Sequence, residues 1–162
     1  MTGTSLISMS KHWLVRLLTI DSKRLRAVRI ENTEWKILII CVYLSYKDGY
    51  ANINAFSEEV SHLESLIDNN PDCHVVICGD FNVDFSRNCL HTEILSSFCD
   101  GMNIRPVCGH RNYSIDYTYN FKMGIFYTLD YFLLSGMLYA NMWIELVSSM
   151  RMTNFQIMIP LY

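Results

Sequence analysis

Between Trp35 and Asp80 the chain reads as an apolar run, an amphipathic stretch and a second apolar run, and this succession limits the fold more than any other feature. Trp35 to Tyr43 is apolar on both alternating faces through Ile37, Leu38, Ile39, Ile40, Cys41 and Val42, as in a strand central to a sheet. Ile53, Phe56, Val60, Leu63 and Ile67 then recur at three- and four-residue spacing, with Glu58, Glu59 and Glu64 off that line. That period predicts an amphipathic helix. Asn69-Asn70-Pro71-Asp72 ends it, and His74 to Cys78 is a second apolar run that stops at Gly79. Strand, helix and strand in this order predict a βαβ unit with parallel strands. Tyr43 and Asp80 then lie at the carboxyl ends of parallel strands, where α/β sheets bind ligands.

The flanking segments extend the sheet. Leu25 to Ile30 precedes Glu31-Asn32-Thr33-Glu34, which predicts a short turn and an antiparallel partner for Trp35 to Tyr43. Glu93 to Phe98 reads as a shorter helix ended by Asp100-Gly101. Tyr117 to Phe121, Leu129 to Leu134, Trp143 to Val147 and Ile157 to Leu161 are short and rich in aromatic or branched residues, so the second half is expected to be mostly strand. The expectation is an α/β protein with two stacked sheets. No linker or repeat divides the 162 residues, and one domain is expected over 1–162.

Composition removes several function classes. The six cysteines include no C-x-x-C pair, so a zinc ribbon or finger finds no support. Lys11, His12 and Arg16 interrupt any apolar leader before Ile20. An intracellular place, nuclear or cytoplasmic and not secreted, is therefore expected, with thiols reduced; a secreted chain with paired cysteines is the alternative. Ile125 to Val147 has nearly the length of a bilayer span, with Asp130 and Glu145 its only charges. Asp130 near a bilayer centre would cost about 2.5–3.5 kcal/mol, and Ser135-Gly136 reads as a turn between two strands, so no membrane is expected as partner. Residues 1–36 hold seven of the thirteen Lys and Arg against three acids. Lys23, Arg24, Arg26 and Arg29 alternate with apolar residues as if on one cationic strand face. A net charge of −3 gives no general attraction to nucleic acid.

The run Val75-Val76-Ile77-Cys78-Gly79-Asp80-Phe81-Asn82-Val83-Asp84 carries the chemistry. Gly79 permits close backbone approach where the strand ends, and Asp80 puts a carboxylate at that edge. Asn82 faces the same way if the chain stays extended for two more residues. A carboxylate can orient or deprotonate a water, and an amide beside it can donate to a phosphoryl oxygen. A loop in which Asp and Asn only make turn bonds is the plain alternative.

Gly79-Asp80-Phe81-Asn82 after an apolar strand resembles the G-D-[FL]-N signature of the endonuclease/exonuclease/phosphatase superfamily, which includes abasic-site endonucleases, DNase I and the endonuclease domains of non-LTR retrotransposons. Cys41-Val42-Tyr43-Leu44 resembles its strand ending in a Tyr-x-Pro turn, with Ser45 in place of the proline. Thr128-Leu129-Asp130-Tyr131-Phe132-Leu133-Leu134-Ser135 resembles its late strand, and Tyr117-Thr118-Tyr119 the aromatic strand upstream of it in the retrotransposon branch. The resemblance runs from about Arg24 to Ser135. It implies a DNase I-like four-layer sandwich of two mixed sheets flanked by helices, a Mg2+-dependent phosphodiester hydrolase, and DNA as partner through its phosphate backbone. By the same resemblance Asp80 would align the attacking water, Asn82 and Tyr43 would contact the scissile phosphate, and Asp130 would hold a catalytic histidine.

The departures set a limit on that reading. No strand with the superfamily's Asn, and none with its metal-binding Glu, precedes Leu25, so the fold is expected to lack N-terminal strands and Mg2+ binding is in question. Thr153 and Asn154 stand where the resemblance calls for a terminal Asp-His; neither can ligate as a carboxylate or cycle a proton near pH 7. His12, His62, His74, His91 and His110 do not precede the last strand. The expectation is a DNA endonuclease fold of retrotransposon type with weak or lost activity; the alternative is a non-catalytic nucleic-acid or partner-binding remnant. Missing strands, a mean hydropathy of +0.14 and 51% hydrophobic residues add an expectation of self-association through uncovered sheet edges.

Overall fold

Asn32 makes a tight turn: its side-chain oxygen accepts the N–H groups of Glu34 (2.8 Å) and Trp35 (2.7 Å). This Asx turn joins strands β2 (Leu25–Glu31) and β3 (Lys36–Tyr43) into the expected antiparallel pair. The computed structural model describes residues 13–45, 50–107, 118–121 and 125–141. Before β2 lies strand β1 (Leu14–Leu18), and after β3 come helix α1 (Tyr50–Asp68) and strand β4 (His74–Asp80). Helix α2 (Leu90–Gly101) and strands β5 (Ile104–Pro106), β6 (Tyr119–Phe121), β7 (Ile125–Tyr127) and β8 (Asp130–Ser135) follow, then the short helix α3 (Gly136–Asn141).

Six strands form one mixed sheet in the order β1-β2-β3-β4-β8-β5, and β6 and β7 pair separately as a hairpin. β3 and β4 are parallel neighbours joined through α1, the predicted βαβ unit. α1 stops where its periodicity does: the Asn70 amide donates to the Leu66 carbonyl (2.8 Å), and Pro71 cannot continue the helix.

The even-numbered residues of β3 set the core. Leu38 and Ile40 are fully buried, as is Leu44 just past the strand, together with Leu25, Phe56, Leu63, Ile77, Leu95 and Leu133 from β2, α1, β4, α2 and β8. Both long helices therefore pack on one face of the sheet. Each such side chain contributes about 1.5–3 kcal/mol by leaving water. The odd-numbered residues of β3 face the other way, and Ile37, Ile39 and Cys41 are half-buried there. At the margin, β1 leaves Leu14, Val15 and Leu17 exposed.

Several sequence expectations change. β1, β5 and β7 lie outside the expected strands, and α2 is longer than Glu93 to Phe98. Ser135-Gly136 is not a turn between strands, because Gly136 begins α3. The stretch from 125 to 141 divides into hairpin strand, sheet strand and short helix, and no helix among the described residues is long and apolar enough to cross a membrane. The cationic strand face also dissolves, because side chains alternate along β2 and Arg26 and Arg29 lie on opposite faces. Arg26 donates to the Ser22 and Leu25 carbonyls (2.7 Å each), whereas Arg29 pairs with Glu31 and Asp72. The expected strands Trp143 to Val147 and Ile157 to Leu161, with Thr153, Asn154, His12, His110 and Tyr117, lie outside the described residues.

Candidate active site

Sheet register brings three of the four sequence-predicted site residues together. Tyr43 ends β3 directly beside Asp80 at the end of β4, and Asp80 stands beside Asp130 at the start of β8. With strands about 4.8 Å apart, the three Cα atoms lie in a row about 10 Å long. In-register neighbours share a face, and this row faces away from the helices.

Gly79 makes the row compact. Its φ of +134° suits glycine, and a Cβ there would collide with the Val42 carbonyl oxygen of the neighbouring strand. The Leu44 N–H donates to the Asp80 carbonyl (2.9 Å), prolonging the β3–β4 pairing past Tyr43, and Phe81 donates its N–H to Leu129 (2.9 Å). The extended backbone does not continue through Asn82, which takes φ = +52°. Its backbone N–H bonds the Asp80 carboxylate (2.8 Å) in an Asx turn, and its side-chain amide donates to the Leu44 carbonyl (2.8 Å). Asn82 thus ties the β3 and β4 ends together, with one amide hydrogen left to donate.

Asp80 is half-buried, and its carboxyl is pushed up to about 6 by burial. The Asn82 N–H pulls it down, and the Asp130 carboxylate raises it. No described cation forms an ion pair with Asp80 or Asp130.

Residues that sequence reasoning passed over hold this row in place. The Thr118 hydroxyl oxygen accepts the N–H groups of Leu129 (2.9 Å) and Asp130 (3.1 Å), fixing the start of β8. The Asp84 carboxylate accepts the Thr128 N–H (3.3 Å) together with the Ser86 N–H (2.9 Å) and hydroxyl (2.6 Å), and these donors hold its carboxyl below its ordinary value against burial. On the other side, Glu59 of α1 accepts both the N–H and the hydroxyl of Ser45 (2.7 Å each) and pairs with Arg24 (3.1 Å). A proline at 45 has no N–H to give, so the serine has a local reason. Arg24 in turn places its guanidinium 5.3 Å above the Tyr43 ring. Asp84 and Thr118 lie within the motif-bearing segments, which is their advance signal, whereas Glu59 on α1 has none.

The donor set can be tested against Mg2+. Asp80 and Asp130 supply two carboxylates, and no group of three His, Cys, Asp or Glu that could hold a metal occurs among the described residues. That falls short of a resident metal site made by these residues alone. The described histidines take up no role at Asp130: His62 lies on α1, His74 opens β4 at the opposite end, and His91 packs edge-on against Phe56 (4.8 Å). Chemically, the row offers a phenol to a phosphoryl oxygen and a carboxylate that is mostly ionised at pH 7 to a water, with the remaining amide hydrogen of Asn82 at the turn beside it.

No protein-family model matches the sequence, and no curated protein matches it. Solved structures do. The endonuclease domain of TRAS1, a telomere-specific non-LTR retrotransposon, superposes over 81% of this chain with a TM-score of 0.63 at 11% identity. Truncated Caenorhabditis elegans TDP2 (78% of this chain, 15% identity) and the human Nocturnin catalytic domain (75%, 16% identity) each superpose with a TM-score of 0.50. This chain spans 59%, 54% and 48% of those structures, respectively. The fold is endonuclease/exonuclease/phosphatase-like.

Proposed function

We propose that the Tyr43–Asp80–Asp130 row is a phosphodiester site of the kind used by DNA endonucleases of non-LTR retrotransposon type, with weak or lost turnover. The observation that carries this reading is the shared register of the three residues across β3, β4 and β8, with Asn82 at the turn beside them. A DNA strand laid along the edge would meet the Tyr43 hydroxyl and the remaining Asn82 amide hydrogen at a phosphate, with Asp80 positioned to take a proton from water. The half-buried apolar side chains of Ile37 and Ile39, at the strand end away from the row, suit the second sheet of a DNase I-like sandwich.

The weakness has a physical cause. Two carboxylates without a described cation repel an anionic diester, and Arg24, Arg29 and Lys36 are already paired with Glu59, Glu31 and Asp72. Mg2+ would relieve this repulsion, but the described donors do not make a site for it. The Thr153 and Asn154 substitutions remove the proton carrier that the resemblance requires.

The test is nicking of supercoiled plasmid and of an abasic duplex in Mg2+, with wild type beside Asp80→Ala. The expected result is little or no nicking above the variant, whether or not salt-dependent DNA binding is measured alongside. Complete nicking of the substrate that Asp80→Ala abolishes overturns the weak or lost turnover.

A further inference from the structure

We propose that Cys41 and Cys78 form a modification site, a dithiol that a small-molecule disulfide such as oxidised glutathione converts into a bridge between β3 and β4 directly behind the candidate site. The two residues are register partners on adjacent parallel strands, and their Sγ atoms are 3.8 Å apart. Neighbouring strands hold paired Cα atoms about 4.8 Å apart, inside the range a disulfide spans, so closure needs side-chain rotation rather than movement of the sheet.

The other described cysteines lack this placement. Cys73 precedes β4 at its far end, Cys89 takes the position before α2 and Cys99 lies within that helix. Cys41 is half-buried and reachable, whereas Cys78 is 8% exposed. Its greater burial makes Cys78 the poorer first nucleophile, because the incoming disulfide meets Cys41 first.

The order of events follows. The Cys41 thiolate attacks one sulfur of oxidised glutathione, forming a mixed disulfide and expelling one glutathione thiolate, which takes up a proton. Cys78 then loses its proton to solvent and attacks the Cys41 sulfur, releasing the second glutathione. The protein loses two electrons and two protons, and the oxidant leaves as two thiols. The bridge would sit two residues before both Tyr43 and Asp80 and on their face, fixing the separation of the two strands that present them. The inference does not depend on what the site turns over.

The test incubates the full chain with oxidised glutathione, blocks remaining thiols, and maps peptides by mass spectrometry with and without dithiothreitol. The expected product links the peptides of Cys41 and Cys78 and is reversed by dithiothreitol, while Cys78→Ser retains a glutathione adduct on Cys41. Linkage through any other cysteine, or a wild-type adduct on Cys41 that never resolves, overturns the proposal. The wild-type map decides the matter even where the serine variant does not fold.

Discussion

The two ends of β3 and β4 carry opposite electrostatic designs. Where the strands begin, Arg29 donates to both oxygens of Asp72 (3.0 and 2.9 Å) and also bonds Glu31, while Lys36 reaches Asp72 at 2.9 Å. These partners hold the Asp72 carboxyl well below its ordinary value and raise Arg29 and Lys36 above theirs. Where the strands end, Asp80 and Asp130 stand side by side without a described cation, and Asp80 is pushed up to about 6. The same sheet therefore has one end where charge supports folding and one where like charge is tolerated. Uncompensated, partly desolvated charge in register is the feature on which the proposed site rests.

The largest test of that contrast removes the backbone approach on which the site end depends. Gly79→Ala forces a side chain against the Val42 carbonyl at a positive φ, and should cost about 3–5 kcal/mol in denaturant unfolding. Wild-type stability in this variant would mean that the strand ends are not held as close as described. Ser45→Pro, which restores the superfamily's wording, should cost about 1–3 kcal/mol, because Glu59 loses two donors while 12% exposed. An unchanged unfolding free energy would remove Glu59 from the account of the site.

Asp80→Asn should act in the opposite direction. A carboxyl raised from 3.8 to about 6 binds its proton more tightly in the folded chain, so its contribution is present at low pH and lost as pH rises through 6. At pH 7 the ionised form opposes folding. After allowance for solvent screening, the amide should stabilise by about 1 kcal/mol at pH 7 and by much less at pH 4. Destabilisation at pH 7 would show that the carboxylate has a counter-charge. The smallest effect is expected from Asp72→Asn, a drop in melting temperature that shrinks with added salt. Because the Asp72 carboxyl is lowered, the same support is lost as pH falls below its ordinary value, and a salt-independent drop would point to packing instead.

The contrast was half legible in the sequence. The 3.6-residue period of Phe56, Val60, Leu63 and Ile67 and the unbroken run through Ile37 to Val42 predicted β3, α1 and β4, since burial on both strand faces leaves few alternatives. Tyr43, Asp80 and Asp130 could be ranked as candidates, but their common register came from pairing between strands far apart in sequence. For Asn82 the condition of an extended run fails and the turn-bond alternative holds, because its own Asx turn to Asp80 ends the strand. β1 carries Arg16 within a five-residue strand whose apolar residues are largely exposed, so no burial period marked it. The Ser45–Glu59 pair and the Thr118 bracket join distant residues through polar side chains, and hydrophobic patterning is blind to such bonds.

The most direct test of the two-ended account is a carboxyl-carbon NMR titration of Asp80 and Asp72 in one wild-type sample. The account predicts an Asp80 midpoint near 6 and an Asp72 midpoint well below the ordinary aspartate value. Asp80 titrating at or below 3.8 would show that its end of the sheet is charge-compensated after all, and would contradict the claim.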